Sequence, residues 1–419
     1  MLSLMQHFLP SKATLLRLTS AVLLFTACQK EAQTPEADNT PNTRPLSEQE
    51  VRTMSSANDF GFRTFSTLRP EEPTQNLFIS PLSISAALTM TFNGADGTTK
   101  EAMRQTLGFT GQTDEALNQS FKTLFELLTN MDRKVQFSAA NSIWYAQQFE
   151  LQVPFVQKNQ SYFDATLRPM DFGAPGTKGV INGWVSDKTK GRITSIVDEI
   201  DRDDVMFLIN AIYFKGTWTY QFDKSLTRQA PFRKEDGSTT PVDFMTLKNG
   251  KYQYYTDATK QVIDLPYGNE QFSMTLIVPT GTNTVADITR ELNSANLTSW
   301  LASARATNLE LRLPKFRLEY EKDLLGTLTQ LGMGEAFSDS ANFSQMLQGV
   351  SGGLSISKVL HKTFLQVDEV GTEAAAVTSV VVTLTTSLPP TVEVNRPFVF
   401  LIREKSSNAV LFIGQLMQP

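Results

Sequence analysis

The chain has 419 residues, 41% of them apolar and 19% charged, with a formal net charge of −5. That mixture builds a globular core, and without a basic excess it excludes nucleic acid as the partner. His7, His361 and Cys28 are its only histidines and cysteine. His7 and Cys28 fall in the N-terminal export region, so the folded part holds one imidazole and no thiol. A His/Cys metal cluster, a cysteine nucleophile and an internal disulfide framework are excluded, and no cofactor or metal is expected.

Residues 1–27 read as a lipoprotein signal peptide. Lys12 and Arg17 give a positive flank, and the apolar run Leu18–Ala27 is too short to span a bilayer. Leu24-Phe25-Thr26-Ala27-Cys28 resembles the bacterial lipobox, in which the cysteine is acylated and becomes the first residue; Phe25 departs from the usual aliphatic. Cys28 is therefore the expected lipidation site. The polar stretch 28–47, rich in Pro, Thr, Glu and Asn, cannot bury enough surface to fold and reads as a tether. Gln29-Lys30-Glu31 resembles the surface-export signal of Bacteroidetes lipoproteins. A lipid anchor in the bacterial cell envelope, on the outer membrane and exposed at the surface, is the address expected, with the lipid as the only membrane contact.

From 48 to 419 no linker or repeat interrupts the chain, which reads as one domain. Helical periodicity predicts helices at Glu48–Leu68, Ser83–Phe92, Lys100–Leu107 and Asp114–Asn130. Strands are predicted at Phe137–Tyr145, Asp204–Phe214, Phe272–Val278 and Asn308–Pro314, and Ser355–Met417 reads almost wholly as strands, crowded with Val, Ile, Phe and Thr. Helices first and strands later predict an α+β domain with large antiparallel or mixed sheets. Gly94 to Lys100 lacks phosphate-loop spacing and reads as a turn feeding a helix. The acidic run Asp198 to Asp204 lacks the central Gly and distal Glu of a calcium loop and reads as a solvated loop.

The segment 369–395 is unusual. Small, unhindered Gly371-Thr372-Glu373-Ala374-Ala375-Ala376 leads into the uncharged, mostly β-branched run Val377–Thr386, which Ser387-Leu388-Pro389-Pro390 stops. It is either a buried strand or a strand held out that enters a sheet later. Here the sequence resembles the serpin family. Gly371-Thr-Glu-Ala-Ala-Ala matches the hinge of the inhibitory reactive-centre loop, and further matches follow in family order: Asn76-Leu-Phe-Ile-Ser80-Pro81-Leu-Ser83-Ile, Asn210-Ala-Ile-Tyr-Phe214-Lys-Gly-Thr-Trp218, Leu313-Pro-Lys315-Phe, Ile356-Ser-Lys-Val-Leu-His361-Lys, Asn395-Arg-Pro-Phe398 and Phe412-Ile-Gly414.

The resemblance implies three β-sheets with eight to nine helices, and an exposed reactive-centre loop at about 369–394. It implies a suicide-substrate inhibitor of serine proteases: the protease cleaves the loop, the loop enters the main sheet as a new strand, and the acyl-enzyme is trapped. Such a protein is not an enzyme, is expected to be a monomer, and has serine proteases as partners. Glu369 and Gly371 to Ala376 match the hinge. Ser80, Ser83, Asn210 and His361 match a polar cluster, the shutter, beneath the opening strands. Glu369 and Lys315 match an ion pair at the breach beside Trp218. Side chains alternate along a strand, so if Thr372 faces the core, so do Ala374, Ala376, Thr378, Val380 and Val382, none of them charged. Val377 is bulkier than the family norm. Counting from the hinge places the reactive bond at Thr385–Thr386; counting back from Asn395 places it at Thr386–Ser387. The first is preferred, because insertable length controls trapping. No Lys or Arg lies in 371–395, which suits elastase-like or subtilisin-like enzymes and not trypsin. The alternatives are a non-inhibitory serpin acting as a binding module or protease substrate, against which the intact hinge argues, and a hydrolase built on His361, against which the absence of G-x-S-x-G argues.

Overall fold

Ser47 starts the first helix by local chemistry: its hydroxyl accepts the Glu50 N–H, while the Glu50 carboxylate accepts the Ser47 N–H at 2.8 Å. A computed structural model describes residues 40–202, 204–349, 355–372 and 389–419. In chain order these form α1 (Glu48–Leu68), β1 (Leu77–Ile79), α2 (Pro81–Phe92), α3 (Gly97–Leu107), α4 (Asp114–Asn130), β2 (Val135–Ala146), α5 (Val153–Phe163), β3 (Thr166–Met170), α6 (Thr177–Lys188) and β4 (Met206–Thr217). They continue with β5 (Arg228–Arg233), β6 (Thr239–Thr256), β7 (Lys260–Tyr267), β8 (Phe272–Pro279), α7 (Val285–Glu291), α8 (Ser294–Ser303), β9 (Arg305–Pro314) and β10 (Phe316–Asp323). Last come α9 (Leu325–Leu328), β11 (Lys358–Val367), β12 (Gly371–Thr372), β13 (Thr391–Glu393), β14 (Phe398–Glu404) and β15 (Val410–Leu416).

The expected separation of helices from strands is wrong: α5 to α8 are interleaved with strands. Several starts also differ. α2 begins at Pro81, not Ser83, because proline fits the first turn, where its missing N–H is not needed. α3 begins at Gly97, not Lys100, because the Asp96 carboxylate caps the Gly97 N–H. β4 begins at Met206, not Asp204, because Asp204 is tied into a turn by its backbone and carboxylate bonds to Asp201.

Two hydrogen-bonded sets of strands result. One has six strands in the order β10-β11-β12-β4-β2-β3. The other runs β1-β15-β14-β8-β7-β6-β9-β13, with β5 also on β6. The pairing of β6 with β9 shifts register between Leu247 and Gly250, an irregularity of the bulge kind. Every residue of α2 is buried, and the helix contacts both β4 and β15. Side chains alternate along β4: Met206, Leu208, Ile212 and Phe214 join the main core, while Phe207, Ile209 and Ala211 join a second cluster with Ile181 and Val185 of α6. Both faces of this strand are therefore committed to packing.

Candidate functional site

The six-stranded sheet has a seam between β4 and β11. At one end the two strands pair directly and in parallel, Lys358–His361 against Phe207–Asn210. At the other end β12 lies between them, Thr372 opposite both Val367 and Gly216, Gly371 opposite Thr217. Between these ends, among the described residues, β4 and β11 are not paired with each other. Gly371 is required by close approach: a Cβ there would lie 2.1 Å from Gly216 O.

At the β12 end, the breach, Trp218 N donates to Val370 O at 2.8 Å and its indole N–H to Asp368 O at 2.9 Å. Its ring stacks on Tyr267, centroids 4.3 Å apart. The Tyr267 hydroxyl in turn meets Thr372 Oγ1 at 2.7 Å in a fully buried pair. Burial pushes the Tyr267 phenol well above its usual range, so it stays a neutral hydrogen-bonding group. Glu369 is buried and pairs with Lys315 Nζ at 3.0 Å, while Thr227 Oγ1 donates to it at 2.8 Å. Burial alone would raise its carboxyl; its own backbone N–H, Lys315 and Thr227 outweigh that and hold it below the usual carboxylate range.

At the closed end, His361 and Asn210 are register partners, as are Asn210 and Asn141 of β2. The Ser80 N–H donates to His361 Nε2 at 3.1 Å, and Ser80 Oγ donates to Leu411 O at 2.6 Å. Burial lowers the His361 pKa to about 3, so the ring is neutral. Asn210 Nδ2 donates to Asn141 Oδ1 at 2.5 Å, and Asn141 Nδ2 to Phe163 O at 3.1 Å. Among the described residues Asn210 Oδ1 and Ser83 Oγ are buried without a partner, a costly state that polar rearrangement can relieve.

The chain matches the family model described as Serpin (serine protease inhibitor) over residues 55–419. It belongs to the serpin family. It is 33% identical over 379 residues to intracellular coagulation inhibitor 1 of Tachypleus tridentatus, covering 88% of this chain and 89% of that one. It is 34% identical over 381 residues to leukocyte elastase inhibitor of Bos taurus, covering 87% and 99%. The native structure of the thermophilic serpin tengpin superposes with a TM-score of 0.81 at 34% identity, covering 91% of this chain and 97% of that one. The serpin fold is thus established, with nine α-helices among the described residues.

Within this serpin, the predicted breach residues Trp218 and Lys315 come together with the predicted hinge residues Glu369, Gly371 and Thr372. The shutter does not form one hydrogen-bonded group: Ser80 bonds to His361, but Asn210 bonds to Asn141 and Ser83 Oγ to nothing. The reason is register, which sets Asn141 directly across from Asn210 on the adjacent strand. Glu373, Ala374, Ala375, Ala376, the bond Thr385–Thr386 and Cys28 lie outside the described residues. Tyr267, Asn141 and Thr227 were not read from the sequence. Tyr267 meets Thr372 across 105 residues of chain, and no local pattern carries that contact.

Proposed function

We propose that this serpin is a suicide-substrate inhibitor of serine proteases. The observation that carries the reading is the register of the seam. β12 runs antiparallel to both neighbours, so each further loop residue has a defined partner on each side. Continued into the seam, the register would set Ala374 opposite Phe214 and Leu365, Ala376 opposite Ile212 and Thr363, and Thr378 opposite Asn210 and His361. Asn210 and His361 are already opposite each other in the closed end. An entering strand therefore meets two edges in matching register and slips on neither. The inward set would be Ala374, Ala376, Thr378, Val380 and Val382, beside the core-facing residues of β4. Thr378 would bring a hydroxyl to Asn210, whose Oδ1 lacks a partner.

Chemically, the protease serine attacks the carbonyl of Thr385, forming an ester to that residue and releasing Thr386 as the new amine terminus. The freed strand zips into the seam, adding ladder hydrogen bonds and burying its inward side chains. An extended 371–385 segment spans about 50 Å, so the tethered protease is dragged to the far end before water cleaves the ester. The chain supplies the scissile bond and no catalytic group, so it acts as an inhibitor and not as an enzyme, and it acts as a monomer. The absence of Lys and Arg from the loop and the likeness to a leukocyte elastase inhibitor favour elastase-like and subtilisin-like targets. Acylation of Cys28 anchors the inhibitor in the bacterial envelope, on the surface of the outer membrane.

Mixing with an elastase-like protease should give an SDS-resistant adduct and a released C-terminal peptide beginning at Thr386. Clean turnover by every protease tried overturns the reading. Cys28→Ala should shift the protein from the membrane fraction to the soluble fraction.

A further inference from the structure

The bait has no charge of its own: between Glu373 and Glu393 the chain contains no Asp, Glu, Lys or Arg. The nearest charges on the C-terminal side of the reactive bond belong to the flank that re-enters the sheet. At about 3.6 Å per residue, the chain from Thr386 to Pro389 spans at most about 11 Å, against about 47 Å from Thr372 to Thr385. A serine protease of roughly 230 residues is about 45 Å across. An enzyme seated on the bond is therefore tied closely only to the C-terminal flank, and its rim reaches over β13 and β9.

That flank is pinned. Glu310 N donates to Pro390 O at 3.0 Å, Val394 N to Arg312 O at 2.9 Å and Arg233 N to Asn395 O at 2.8 Å. Val392 and Val394 are buried, so Thr391 and Glu393 point to the opposite, exposed face. Register sets Thr391 beside Glu310, and Glu393 beside Arg312. Glu310, Arg312 and Glu393 thus share one face next to the bait, but they are not equivalent. Arg312 donates through Nε and Nη2 to Glu310 Oε1, at 3.0 and 2.8 Å, which commits these two charges to each other. Glu393 is exposed, with no ion pair or side-chain hydrogen bond among the described residues. The other cations of this face stand further off: Lys251 is beside Asn308, one row along β9, and Arg228 of β5 is held by the carbonyls of Ser225 and Thr227. Glu393 is therefore the unpaired charge closest to the docked enzyme on a rigid part of the molecule.

We infer that Glu393 is a second recognition site for the protease, outside the loop. Its carboxylate, fixed in the sheet, selects enzymes that carry a basic group on the rim of the cleft, on the leaving-group side of the cut bond. It acts during encounter, by steering and by one charge-assisted contact, before any bond is broken. The loop then selects by the size of the residue at the bond, and this face selects by charge. The inference rests on the loop being the bait.

Rates of loop cleavage by a cationic elastase test it, with full-length Glu393→Lys and Glu393→Gln set against the wild type. At about 20 mM salt, cleavage should be about tenfold slower in Glu393→Lys and about threefold slower in Glu393→Gln, and both differences should shrink below about twofold at about 0.5 M salt. In a free peptide of residues 378–396 the same Glu393→Lys change should alter cleavage by less than about twofold, because the carboxylate is no longer held beside the enzyme. Equal cleavage of the wild-type and Glu393→Lys proteins at low salt overturns the inference, as does an undiminished tenfold loss in the free peptide. If lysine beside Arg312 prevents folding, Glu393→Gln decides alone, and an unchanged rate overturns the inference. Cleavage precedes trapping, so a wild type that is cleaved and never traps overturns the inhibitor reading, while these rates still decide the role of Glu393.

Discussion

Thr372→Arg separates cleavage from trapping. Thr372 is 1% exposed, is paired on both sides in the sheet, and shares its hydroxyl with buried Tyr267. Arginine there buries a guanidinium without a partner, at about 4 kcal/mol. It also leaves the Tyr267 hydroxyl unsatisfied, at about 1–3 kcal/mol. Even if half of this is relieved by the side chain reaching for water, about 3 kcal/mol remains, which slows insertion roughly 150-fold. Because Thr372 is already seated before cleavage, the substitution also expels the hinge from the intact sheet. That lengthens the displayed loop and leaves recognition of the distant reactive bond intact. Titration against an elastase-like protease, read by residual activity and on SDS gels, should show cleavage at the wild-type bond and rate. Few or no covalent complexes should form, and the protease should emerge active. Trapping at wild-type stoichiometry would refute both the seat of Thr372 and the register of the loop.

Two further outcomes follow from the same geometry. The loop-cleaved form should melt well above the intact form, because the intact seam stores unmade strand pairing; equal melting temperatures in calorimetry would remove the case for insertion. His361, neutral and buried with a pKa lowered from 6.5 to about 3, takes up its proton more readily when unfolded. Its contribution to stability is therefore full above pH 6.5 and is lost as pH falls toward 3, with a slope of up to about 1.4 kcal/mol per pH unit. His361→Gln, which can still accept the Ser80 N–H, should flatten the decline of the unfolding midpoint between pH 6.5 and 4.5; an unchanged slope would show that the ring is already protonated in the fold.

The parts of the fold with a local cause were legible in the sequence. α1 matches its predicted bounds because Ser47 and Glu50 cap each other, and α4 because Thr113 caps a strongly amphipathic run. α6 was not, since it buries only Thr177, Ile181 and Val185 and carries two glycines, Gly179 and Gly183, in its interior. At the site, the hinge and breach residues could be named from motif matches, because their chemistry is local: a glycine where two backbones touch, and a charge needing a partner. Tyr267 and Asn141 could not. Their roles arise only from the register in which distant strands meet, and the same register divides the shutter into two hydrogen-bonded groups.

Hydrogen exchange along the seam tests the central claim most directly. Among the described residues no strand pairs between the amides of 211–215 and 362–366 that face the seam in the intact protein, whereas in the cleaved protein an inserted loop would pair with both. Strong new protection at those positions on cleavage, and at Val377 to Val381 within the loop, is the predicted result. Unchanged exchange there, in a protein that has been cleaved at the loop and has stayed folded, would contradict it.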